Sequence, residues 1–217
     1  MTPATIPLDV FSDPVCPWCY IGKTFLDRAL ESRPLHPFRV EWHPFRLNTD
    51  LPPEGVERAP YLEAKFGDRR SVAEAMARVQ AVADEAGVRM DMGKATRVPD
   101  TLDAHRLIHW AGIEGAQNRV VDALFRAYFQ DGADIGQSDV LSAIASACGM
   151  DGALVGRLLS TDGDRDDLMA RDLDAREKGV TAVPTFLVDR QFVLAGAQST
   201  ATWQQIIDDI LKQLETT

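Results

Sequence analysis

The hydrophobic pattern changes period twice near the amino terminus. Residues 6–12 hold an apolar run around Leu8, Val10 and Phe11 and read as a buried strand. Ile21, Phe25, Leu26 and Leu30 then recur at helical spacing. Pro17 falls in the first turn, where a helix has no use for the missing N–H. Pro34 and Pro37 end that helix, and residues 38–45 alternate apolar and polar as a second strand does. The amino-terminal third reads as β-α-β.

Residues 48–60 carry Pro52, Pro53, Gly55 and Pro60 and read as a loop. Helical spacing follows. Val72, Met76, Val79 and Ala83 share one face, and Gly87 stops the run. Further helices are predicted over 102–111, 120–129, a segment capped by Ser138 or Asp139 and ending at Cys148, 153–159, and 164–178 with Gly179 as the terminal cap. Strands return at 185–188 and 192–194, around a turn at Asp189-Arg190-Gln191. A last helix, 200–214, has the stripe Trp203, Ile206, Ile207, Ile210 and Leu214. The order predicts an α/β fold: a central mixed four-stranded sheet assembled from both chain ends, with a large inserted helical domain. Residues 1–50 and 179–217 form the sheet domain and 51–178 the helical one. This is the thioredoxin layout with an insertion.

Composition narrows the function. The chain has 217 residues and a formal charge of −10, from 23 basic and 33 acidic side chains. No basic cluster stands out, so no nucleic-acid partner is expected. No apolar run approaches the roughly 20 residues of a membrane span, so no membrane partner is expected either. The start, Met1 to Pro7, has neither a basic nor an apolar leader region, and a cytoplasmic location is the expectation. Three cysteines are too few for a disulfide scaffold, and a reducing compartment argues against one.

The chemistry concentrates at Cys16-Pro17-Trp18-Cys19, on the predicted strand-to-helix junction. A helix start presents unsatisfied N–H donors and positive partial charge, which would stabilise a thiolate on Cys16. Cys19, one turn further in, could attack a mixed disulfide on Cys16. Cys16 is therefore read as the attacking thiol and Cys19 as the resolving thiol. The competing reading is half of a zinc site, but structural zinc takes four ligands. There is no second such pair, Cys148 stands alone, and His36 and His43 show no pairing with the cysteines. His105 and His109 share a helix face, more often a partly buried surface than a metal site. No metal is expected. Val183-Pro184 follows a helix and precedes a strand. In the thioredoxin layout this proline is cis and faces the cysteine pair, so that residue 183 offers its backbone to an extended substrate. An ordinary trans proline at a strand start is the alternative. Cys148 reads as a buried thiol packing like a small hydrophobe, and Trp18 as part of an exposed apolar rim. His43 or Glu41 could accept a proton from Cys19, although structural roles are commoner.

The segment 12–22, Ser-Asp-Pro-Val-Cys-Pro-Trp-Cys-Tyr-Ile-Gly, resembles the active-site segment of the DsbA-like thioredoxin superfamily, in particular its FrnE-like cytoplasmic oxidoreductases. Residues 42–48, 101–107, 179–186 and 196–198 are similar to further motifs of that group, with Asp100 where the family usually has Asn. The resemblance implies thiol-disulfide exchange through Cys16 and Cys19, in a cleft covered by the helical domain. Pro17, Trp18, Val183 and Pro184 would contact substrate, and His105 and Arg106 could reach a glutathione carboxylate or a protein substrate, the commoner alternative for such buried polar side chains being an interdomain hydrogen bond. The expected partners are disulfide-bearing proteins or small thiols, and a reducing system of the thioredoxin or glutathione type. No cofactor is expected to be permanently bound; glutathione is a candidate co-substrate. In a reducing cytosol, reduction or isomerisation is favoured over net oxidation. The related kappa-class glutathione transferases and 2-hydroxychromene-2-carboxylate isomerases have Ser at the nucleophile position. A glutathione-dependent isomerase or transferase of that type is the first competitor. A chaperone-like binding module using the rim around Trp18 is the second.

Overall fold

The amino-terminal apolar run becomes an inner strand of the sheet. The computed structural model describes residues 5–215, with side chains to residue 214, so residues 1–4, on which the leader reading partly rests, lie outside it. Strand β1 (Ile6–Ser12) leads into helix α1 (Pro17–Ser32) and then β2 (Phe38–Pro44), which runs parallel to β1 with Val10 opposite Trp42. Near the carboxyl end, β5 (Thr185–Val188) pairs antiparallel with β1 and with β6 (Phe192–Ala195). The sheet order is β2-β1-β5-β6, mixed as expected. Helix α9 (Thr200–Glu215) packs against α1. Trp203 is fully buried there, edge-on to Phe186 at 4.9 Å and to Phe38 at 6.4 Å. Arg33 donates from Nε and Nη2 to the Asp208 carboxylate at 2.8 and 3.0 Å, joining the end of α1 to α9.

Between β2 and β5 lie α2 (Arg58–Phe66), α3 (Arg69–Glu85), α4 (Leu102–Ile113), α5 (Gln117–Arg126), α6 (Ser138–Ala147), α7 (Gly152–Leu159) and α8 (Arg165–Glu177). The strands β3 (Val56–Glu57) and β4 (Arg97–Val98) form a two-residue ladder among them. One continuous apolar cluster runs from the sheet, through Val10 and Phe186, into the helices at Leu107, Leu124 and Phe125. Inserted helices and sheet therefore share buried surface.

Several local expectations are corrected. The loop read over 48–60 contains β3 and the start of α2. Pro60 does not exclude a helix, because it occupies the first turn, where its N–H would have no partner. A two-residue ladder is too short to show alternation. The helix read over 120–129 changes after α5 into a π turn, Ala127–Asp131. Ser138 does not cap α6. It is the first helical residue, and Gln137 holds the cap position. Gly152 opens α7 because a Cβ there would lie 2.0 Å from Ser146 Oγ and 2.4 Å from Ser142 O, so only glycine lets α6 and α7 approach. Gly179 follows α8 with a φ of 95°, as the cap reading requires.

Candidate active site

Strand β1 ends at Ser12, and the turn Asp13-Pro14-Val15 delivers Cys16 to the start of α1. Asp13 is fully buried. Its carboxylate accepts N–H bonds from Leu47 at 2.7 Å and Val15 at 3.2 Å, and its carbonyl accepts from Cys16 N at 2.9 Å. One aspartate thus ties the cysteine turn to the chain beyond β2. Burial pushes its carboxyl up to about 6, against the pull of those N–H donors.

Cys16 is the N-cap of α1, in extended conformation, with Pro17 at the first helical position. Its carbonyl accepts from Cys19 N at 3.1 Å and Tyr20 N at 3.3 Å. Cys19 is thereby held one turn inside the helix. The Cys16 thiol donates to Val183 O at 3.7 Å, so the sulfur faces the loop before β5. The Val183–Pro184 peptide is cis. Gly22 lets α1 pack against that loop, since a Cβ there would meet Pro184 Cγ at 3.1 Å. All three cysteines are free thiols.

The two thiols have different surroundings. Both are buried, Cys16 at 3 % and Cys19 at 1 % exposed, but Cys16 lines a cavity of about 790 Å³ and Cys19 does not border it. Burial pushes the Cys19 thiol well above the usual thiol range, and its hydrogen bond to Cys16 adds to this. In the reduced protein Cys19 therefore holds its proton, and Cys16 is the sulfur a ligand meets first. The cavity continues past Pro17 and Trp18 to α2, α3, the π turn and the segment Thr181–Val183. Trp18, 37 % exposed, stands at its mouth.

Pro17, Trp18 and Val183 thus line one cavity with Cys16, and Pro184 adjoins it. His105 and Arg106 do not, which corrects the expectation that they reach the cleft. Arg106 is completely buried, and its guanidinium is taken up by Asp103 and by the carbonyls of Leu158, Thr161 and Gly163, each at 2.8–2.9 Å. His105 is also buried, and its Nε2 has no hydrogen-bond partner among the described residues. His109 Nδ1 instead lies 3.2 Å from Arg171, so the two histidines do not converge on a metal. His43 Nε2 is 2.9 Å from Asp9, Glu41 pairs with Arg39, and the groups acting on Cys19 are Cys16, Ser12 and Asp13. Among the described residues, Asp9, Glu41 and His43 could hold a cation, their ligand atoms lying within 4.8 Å of one another across β1 and β2. Cys148, at the end of α6, is buried and does not border the cavity. The sequence reading missed Asp13 as an organiser of the turn. Its signal was a carboxylate between an apolar strand and a proline, a position that also suits a solvated turn.

Burial, together with the charge of Arg46, pushes His105 down to about 3. The unfolded chain takes up this proton near pH 6.5. Stability from this residue is therefore full above that pH and is lost as the pH falls from about 6.5 towards 3. Asp13 acts oppositely: its raised value means that acidification from about 6 favours the fold. The replacement His105→Phe isolates the first effect. Between pH 7 and pH 4 the wild-type protein should lose about 3 kcal/mol relative to this variant, read from urea midpoints at both pH values.

Comparison with known proteins gives a consistent picture. A family model described as DSBA-like thioredoxin domain matches residues 7–208. The chain is 28% identical over 210 residues to the uncharacterized protein YwbO of Bacillus subtilis, covering 96% of this chain and 99% of that one. It superposes on a probable DsbA oxidoreductase from Streptomyces coelicolor with a TM-score of 0.82 and 27% identity, over 94% of this chain and 89% of the other. The cytosolic disulfide reductase DsbM from Pseudomonas aeruginosa, solved with GSH, shares the fold at a TM-score of 0.70 and 19% identity, over 95% and 99% of the two chains.

Proposed function

The chain belongs to the DSBA-like thioredoxin domain family, and from that membership we propose that it is a thiol-disulfide oxidoreductase acting as a reductase or isomerase. Cys16 attacks a substrate disulfide, forming a mixed disulfide and releasing one thiolate. Cys19 then gives up its proton and attacks Cys16 Sγ, releasing the second thiolate and closing a Cys16–Cys19 disulfide. Two electrons pass from the protein to the substrate, and a small thiol or a thioredoxin-type partner restores the dithiol. The observation carrying this reading is the asymmetry of the pair. Both thiols are buried, but only Cys16 borders the cavity, while Cys19 lies one helical turn away with its thiol pushed up by burial.

Val183 offers the backbone facing Cys16, with Pro17, Trp18 and Pro184 forming the rest of the substrate contact. We place this activity in the cytoplasm, where reduction rather than oxidation is the favoured direction. Among the described residues no helix is long and apolar enough to cross a membrane. A second reading, a glutathione-dependent enzyme of the kappa type, draws support from the cavity, whose volume suits a small molecule.

The two readings separate on Cys19→Ser. As a dithiol reductase, this variant should complete the first exchange, accumulate the mixed disulfide on Cys16 and lose multiple turnover. Undiminished steady-state turnover would favour the glutathione-dependent reading instead.

A further inference from the structure

The cavity next to Cys16 has a charge opposite to that of the chain as a whole. Acidic residues exceed basic ones by 33 to 23, yet the cavity is lined by Arg58, Lys65 and Arg78 and by no carboxylate among the described residues. Lys65 and Arg78 are exposed, while Arg58 is half-buried. The Arg58 guanidinium donates to Met92 O at 2.9 Å and to the Met76 sulfur at 3.6 Å, and among the described residues it has no ion pair. A neutral carbonyl and a thioether are weak partners for a guanidinium partly removed from water. The neighbouring Tyr128 phenol also interacts with Arg58, but burial pushes it up to about 12 against that pull, so it keeps its proton, donates to Arg97 O at 3.0 Å and supplies no negative charge. The remaining wall is largely apolar, including Met76, Val79, Val98 and Phe129.

We propose that this cavity binds a small disulfide with an apolar body and a carboxylate, the carboxylate seated on Arg58 and a sulfur presented to Cys16. The inference rests on the exchange chemistry proposed above and adds the substrate class. A volume of about 790 Å³ suits a molecule of drug size. The unpaired cation selects the anion, and the apolar wall selects the body. Arg58 is then the specificity-determining residue. The chemistry balances as before: Cys16 and Cys19 lose two electrons and become a disulfide, and the ligand leaves as two thiolates.

Dithiobis(nitrobenzoate), an aromatic disulfide bearing carboxylates, and dithiodipyridine, an uncharged aromatic disulfide, are suitable probes. Each is mixed with reduced protein in a Cys148→Ser background, and the released thiolate is followed over a range of probe concentration. Arg58→Met should raise the half-saturating concentration for the nitrobenzoate by about 10- to 100-fold, the value of a charge-assisted hydrogen bond, with the rate at saturation unchanged. Half-saturation for the pyridine disulfide should stay as in the wild type, and Arg58→Lys should recover part of the loss. Equal losses for both probes, or no loss for either, would overturn the assignment of Arg58. Tighter saturation by glutathione disulfide, a polar anion, than by the nitrobenzoate would overturn the apolar part. Failure of the underlying exchange reading would look different: protein with Arg58 intact would release from either probe at most one thiolate per molecule, with the mixed disulfide persisting on Cys16, instead of two.

Discussion

Cys16→Ser removes disulfide exchange, with the rate of reduction of a model disulfide falling by more than about three orders of magnitude. Exchange requires a sulfur nucleophile, and a hydroxyl cannot take its place. No other thiol can substitute. Cys19 is 1 % exposed, and burial together with the bond its thiol makes to Cys16 favours its protonated form. Cys148 is buried at the end of α6. The replacement is small and leaves the turn intact, because Asp13 anchors that turn through backbone N–H groups and the α1 start uses the Cys16 backbone. Thermal stability should therefore shift little while exchange is lost. Cys148→Ser, by contrast, should leave the rate of exchange unchanged. The measurement is disulfide reduction under saturating reductant, with unfolding curves on the same samples.

Arg106→Ala should destabilise the fold by about 4 kcal/mol without changing how Cys16 reacts. The guanidinium bonds Asp103 and the carbonyls of Leu158, Thr161 and Gly163, and it stacks 4.9 Å from the Trp110 ring. It therefore holds α4 to the end of α7 and to the turn before α8. Truncation leaves several buried carbonyl groups without donors. Asp103 keeps its bond to Arg165 at 3.0 Å, which limits the loss on that side. Lysine would not restore stability, because the bonds leave the planar fork in several directions. For a chain of this length, the midpoint temperature should fall by about 10 °C. Weakened substrate binding at unchanged stability would instead return Arg106 to the binding role, one of the two that the sequence leaves open.

The case of Arg106 shows what the sequence leaves unread. Apart from Asp103, its acceptors are main-chain carbonyls more than fifty residues away, and no side-chain pattern marks a carbonyl as available. The spacing Ile21, Phe25, Leu26 and Leu30 and the alternation around Val10, by contrast, depend only on which face is dry, and those elements are legible. Cys16-Pro17-Trp18-Cys19 is legible because both chemistry and helix start lie within four consecutive residues. Arg58 is hidden among prolines and glycine that read as a loop, and its significance comes from the absence of a carboxylate in a wall built by separate helices. Asp13 is visible as a residue, but its burial follows from the packing of the chain around Leu47.

The most direct test of the central claim is the covalent state of the wild-type protein after exposure to glutathione disulfide. Free thiols are trapped under denaturing conditions and the intact mass is read. The account predicts an intramolecular Cys16–Cys19 disulfide, with Cys148 alone left to alkylate. A protein that stops with glutathione on Cys16, and with Cys19 and Cys148 both alkylated, would contradict it.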